Sequence, residues 1–146
     1  MCIIMIKGLL PMWLFSKIKQ NIAKKKDIEN FREELKEREI VLSKWKMQDD
    51  LEQKIFDNSF PLFKKGEELS KEGNQEEALV YLKKAYENGY REIPLYHRFT
   101  IVYRSLKMYD EEIYCIDKII SELDNDVTDV WRKRREKAIH LKNKYS

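Results

Sequence analysis

The 146-residue chain contains only 4 Gly, 3 Pro, 2 Cys and 2 His. So few turn formers exclude a fold of many short strands and tight connections, and leave long stretches free to be helical. Cys2 and Cys115 are too few and too widely spaced for a disulfide framework or a thiolate metal site. Of the histidines, His97 has no ligand at metal spacing. His140 has Glu136 four residues away, but two ligands do not make a site. The sequence also lacks a Gly-rich phosphate loop and a nucleophile elbow. The acidic pairs Glu76-Glu77 and Glu111-Glu112 fall where helices are predicted to start, and there they complement the helix dipole. The sequence therefore predicts no enzyme, no cofactor and no metal.

Long hydrophobic runs are missing too. The most apolar stretch, MCIIMIKGLLPMWLF, is broken by Lys7, Gly8 and Pro11 and falls short of the roughly 20 residues that cross a bilayer. Its lysines (Lys17, Lys19, Lys24, Lys25 and Lys26) follow the apolar part, opposite to the order in a secretory signal. The expected location is cytoplasmic. Leu14, Ile18 and Ile22 share one helix face among lysines, which suits peripheral contact with a membrane surface. The competing expectation is that residues 1–26 fold back on the domain or stay disordered. Met12 is an alternative start.

What the chain does have is charge, 38% of its residues, alongside 42% hydrophobic residues. The two are unevenly spread. Residues 1–26 carry six Lys and no acid, residues 27–126 are net −8, and residues 127–146 are net +5. Basic ends around an acidic middle admit a nucleic-acid reading, in which WRKRREK of the last helix and Lys24-Lys25-Lys26 contact phosphates without reading sequence. No DNA-binding helix-turn-helix signature accompanies them.

Three segments follow from the patterning: residues 1–26, apolar then basic; residues 27–57, a long amphipathic helix or two helices; and residues 58–146. In the second, Ile28, Phe31, Leu35, Leu42 and Trp45 keep a heptad-like spacing interrupted by Arg38, then shift phase to Met47, Leu51 and Ile55. A break is expected near Ser43 to Gln48. The stripe is expected to pack against the rest of the domain, with self-association through residues 27–56 as the other way to bury it. Asp57-Asn58-Ser59 reads as a stop, with Pro61 in the first turn of a helix from Phe60 to Glu72. Gly73 ends that helix, Asn74 and Glu77 form a capping box for the next, and Gly89 closes that one. Helices from Pro94 to about Leu106, Asp110 to about Leu123 and Val127 to about Asn143 complete an all-α chain.

Displaced by 34 residues, the chain overlays on itself. Leu62 falls on Tyr96, Gly66 on Thr100, Leu69 on Tyr103, Leu79 on Ile113, Leu82 on Ile116, Ala85 on Ile119 and Tyr86 on Ile120. Each pair is apolar or small, and self-similarity at this period marks a helical array. The unit FKKGEELSKEGNQEEALVYLKKAYENG, with Gly66, Leu69, Gly73, Ala78, Leu82 and Ala85, resembles the tetratricopeptide repeat family. YHRFTIVYRSLKMYDEEIYCIDKII resembles it more weakly, departing at Lys107 (Gly in the family) and Glu112 (Ala in the family).

The resemblance implies two repeats, at about 60–93 and 94–126, in a right-handed array of helical hairpins with a long N-terminal helix and a C-terminal capping helix. It further implies an adaptor or scaffold that binds a peptide of another protein on its concave face. That face would be lined by Phe63, Lys64 and Glu67, then His97, Arg98, Ile101 and Arg104, then Trp131, Arg132 and Arg135. Arg forks pair with carboxylates, so the lining predicts an acidic or C-terminal peptide. Phe63 and Glu67 stand where the family's chaperone-tail binders carry their carboxylate clamp, so that specialised role is not expected.

Overall fold

The structure is a computed structural model and describes residues 11–146. Expectations for the apolar residues before Pro11, Cys2 among them, lie outside the described residues. The described chain is all-helical: α1 Met12–Lys71, α2 Gln75–Glu87, α3 Ile93–Ser105, α4 Tyr109–Glu122, a short 3-10 turn Asn125–Val127, and α5 Asp129–Tyr145. It divides into two compact units, Met1–Asp49 and Asp50–Ser146, with the division inside α1.

The described part of the first unit is helix alone. Every residue from 15 to 54 is exposed, including Ile28, Phe31, Leu35, Leu42 and Trp45. The heptad stripe, expected to be covered, is therefore bare among the described residues. The helix does not break near Ser43 to Gln48, because Ser43 donates its hydroxyl to the Ile40 carbonyl at 2.8 Å instead of capping a new helix.

Nor does it break at Asp57-Asn58-Ser59, which corrects the expected helix start at Phe60. The polar residues there find partners within the helix: Gln53 Nε2 donates to Asp57 at 2.7 Å, and Ser59 Oγ to the Ile55 carbonyl at 2.6 Å. Pro61 is an interior residue of α1, where a missing N–H costs about 3 kcal/mol. Aromatic packing across this point offsets the cost. Phe56 and Phe60 stack at 4.6 Å, Phe60 meets Phe63 at 6.0 Å, and Phe63 stacks on Tyr90 at 5.1 Å.

The second unit holds the core. Leu82, Leu95, Val102, Ile116, Ile119, Ala78, Ala85 and Ala138 are wholly buried among α2 to α5. The last turns of α1 reach α2 through Gly66, where a Cβ would lie 2.8 Å from the Leu82 side chain. A bare Cα is what lets these helices approach so closely.

The helix ends repeat one device. At the end of α1 the Gly73 N–H bonds to the Ser70 carbonyl and the Asn74 N–H to Leu69. Thirty-four residues on, Lys107 bonds to Arg104 and Met108 to Tyr103 in the same pattern. Each is a Schellman closure, which needs a left-handed residue at its centre. Gly73 takes φ 89° freely, whereas Lys107 is forced to φ 58° at a cost of roughly 1–2 kcal/mol. The predicted capping box of α2 does not form. Asn74 makes no side-chain cap, and Gln75 instead exchanges hydrogen bonds with Ser70, at 3.0 and 3.1 Å.

Candidate functional site

The ten residues expected on one face divide into two groups. Contacts link the end of α1, α3 and α5. Arg98 of α3 reaches Glu67 of α1 at 3.5 Å, and Lys64 and Lys71 hold the same carboxylate at 2.7 and 3.3 Å. Lys64 above all, by its hydrogen bond, keeps the Glu67 carboxyl below its ordinary pKa. On the other flank of α3, the His97 ring meets Trp131 of α5 edge-on at 5.1 Å. Partial desolvation of that ring, then Arg134 and Arg98, lowers its pKa below the ordinary imidazole value. Ile101 lies half-buried one turn further along α3, and Arg132 is exposed at the start of α5, with Nε on the Thr128 hydroxyl at 3.2 Å. Lys64, Glu67, His97, Arg98, Ile101, Trp131 and Arg132 thus remain accessible to a ligand.

Phe63 and Arg104 are corrections to the expected lining, and Arg135 stays at the surface but is tied to α4. Phe63 is 4% exposed and belongs to the core, because Tyr90, delivered by the Gly89 turn, stacks over it. Arg135 pairs with Asp117 of α4 at 2.7 Å. With Ile120, Arg132 and Glu136 it borders a shallow cleft. Arg104 is consumed internally. Its Nη2 lies 2.8 Å from Glu112 Oε1 and its Nε donates to Oε2 at 3.1 Å, while the same Nη2 also donates to the Arg134 carbonyl at 3.1 Å. Arg134 Nε approaches the same Glu112 oxygen at 3.5 Å. Glu112 is 0% exposed, so one buried carboxylate between two half-buried guanidinia ties α3, α4 and α5 together. Buried charge persists only when paired in this way.

A feature that sequence reasoning did not single out is an apolar cleft of about 560 Å³ between α2, α3 and α4. Tyr86, Tyr96, Phe99, Tyr103 and Tyr114 line it, with Cys115 at its base. Tyr96 and Tyr103 were legible only as repeat positions; nothing in the spacing shows that a cleft stays open beside them. Burial pushes both the Tyr103 hydroxyl and the Cys115 thiol up to about 12, so neither ionises at neutral pH.

Among the described residues no cluster of three or more His, Cys, Asp or Glu could hold a metal ion, and no helix is long and apolar enough to cross a membrane. No family model matches the sequence, and no curated protein or solved structure gives a significant match.

Proposed function

We propose that this chain is a protein-binding adaptor of the tetratricopeptide type, holding an acidic peptide segment of a partner across the face where α1, α3 and α5 meet. The observation that carries the reading is the recurrence at 34 residues. Turns at Gly73 and Lys107 share their hydrogen bonds. The buried pairs Leu69 and Tyr103, Ala78 and Glu112, Leu82 and Ile116, and Ala85 and Ile119 occupy matching places. Helical hairpins stacked at this period present the first helix of each hairpin on one side, and α1, α3 and α5 are those helices here. The setting we propose is cytoplasmic.

The lining supports the ligand class. Lys64, Arg98 and Arg132 supply positive charge, and Trp131, His97 and Ile101 supply an apolar anchor. Glu67 holds Lys64 and Arg98 in place, and an incoming carboxylate competes with it for the same donors. The function we propose is binding, not catalysis, since burial keeps the thiol and phenol of the cleft protonated. Phosphate binding by the basic last helix is less well supported. Arg134, Arg135 and Lys142 are already paired with Glu112, Asp117 and Asp110.

Selection from a random peptide library tests this. Selected peptides are expected to be rich in Asp and Glu with an apolar residue nearby, and Arg98→Glu with Arg132→Glu is expected to weaken them at least about tenfold. Selection with no acidic enrichment, or affinity unmoved by the double change, would remove the proposal.

A further inference from the structure

The stripe on the first half of α1 is exposed among the described residues. Ile28 is 56% exposed, Phe31 59%, Leu35 45%, Leu42 60% and Trp45 69%. Scattered apolar residues on a surface mean little, but a heptad row of five is a contact surface. In heptad terms Ile28, Leu35 and Leu42 occupy one core position, and Phe31, Arg38 and Trp45 the other.

We infer that this stripe pairs with the same stripe of a second copy, antiparallel, to form a two-stranded coil over residues 28–45. Orientation is decided by Arg38. In a parallel pair Arg38 meets Arg38 of the other copy inside the seam, and like charges there are costly. In an antiparallel pair three layers form twice over: Ile28 opposite Trp45, Phe31 opposite Leu42, and Leu35 opposite Arg38. Arg38 then lies against a leucine, and its own Glu34 holds the guanidinium at 2.8 Å. Its methylene stem covers the apolar neighbour while its head reaches water.

The flanking charges agree. The antiparallel register sets Arg32 of each copy beside Glu39 of the other, which gives two opposite-charge contacts next to the Phe31–Leu42 layers. Lys25 and Lys46, of like sign, meet beyond the last apolar layer, where solvent and salt screen them. A parallel register instead sets Glu34 beside Glu39 against the core. Area is sufficient too. Aromatic side chains bury roughly 150–250 Å² each, and with about half of such area exposed, five apolar side chains per copy bring on the order of 1,000 Å² together, the floor for a specific interface.

Sedimentation equilibrium of the full chain under reducing conditions tests the pairing, with charge variants to fix its direction. The intact chain is expected to be a dimer, and Phe31→Glu with Leu42→Glu a monomer of unchanged helicity. Glu39→Arg is expected to weaken the dimer about tenfold by setting two arginines side by side, and Arg32→Glu added to it to restore the dimer. A tighter dimer in Glu39→Arg overturns the antiparallel arrangement, because only a parallel pair gains from that change. A monomeric intact chain at high micromolar concentration overturns the pairing itself. Loss of phosphatidylglycerol vesicle binding in Phe31→Glu with Leu42→Glu, from a monomeric parent, would assign the stripe to a lipid surface instead.

Discussion

Glu112, which the proposed repeat reading sets where the tetratricopeptide family carries alanine, is the wholly buried centre of a charge cluster with Arg104 and Arg134. Removing it strands two half-buried guanidinia. Glu112→Ala is expected to destabilise the fold by about 2–3 kcal/mol, below the 3–5 kcal/mol of a fully buried pair because both arginines keep some solvent contact. Chemical denaturation measures this; a neutral result would mean that the cluster does not hold α3, α4 and α5 together. His97 gives the pH dependence. Its folded-state pKa lies below 6.5, so the unfolded chain binds the proton more readily. Its contribution to stability is present above pH 6.5 and is lost as pH falls through 6.5 toward the folded value. Trp131→Ala should expose the ring and move its pKa, followed by NMR, back toward 6.5. A pKa that stays put would show that Trp131 does not desolvate the ring. At this scale the sequence was partly legible. Gly66, Ala78 and Leu82 read correctly as small and large packing positions. Arg104 did not, because its partner is eight positions away on a different helix. A Glu at a buried small position was the available sign that a nearby arginine would be drawn inward.

The elements from α2 to α5 lie close to where glycine, proline and apolar period placed them, since Gly73, Gly89 and Pro94 act through backbone geometry alone. Helix α1 departs from its expected bounds. A polar triplet followed by proline resembles a helix start, but here Ser59 bonds back to Ile55 and Phe63 is held by Tyr90, so tertiary packing overrides the local signal. Pro61→Ala separates the two possibilities. In a continuous helix the alanine restores a hydrogen bond to the Asp57 carbonyl and stabilises by up to about 3 kcal/mol. At a helix's first turn the same change would be neutral or slightly unfavourable.

For the molecule as a whole, the charge asymmetry of the sequence has a structural counterpart in the second unit. The basic α5 lies against the acidic α4, where Arg135 meets Asp117 and Lys142 meets Asp110 at 2.6 Å. Much of the net charge that suggested nucleic acid is thereby neutralised within the unit. On the proposed repeat reading, two hairpins and a terminal helix make a short array, and three repeats or more are usual for stability. The aromatic cluster of Phe56, Phe60, Phe63 and Tyr90 adds apolar burial at its first edge. The proposed peptide face of α1, α3 and α5 has a rival on this unit, the tyrosine cleft between α2 and α4. Amide chemical-shift mapping with a selected acidic peptide distinguishes them directly. Binding on the proposed face predicts shifts centred on Glu67, Arg98, Ile101 and Trp131. Shifts confined to Tyr86, Tyr96 and Tyr114, or no shifts at saturating peptide, would contradict it.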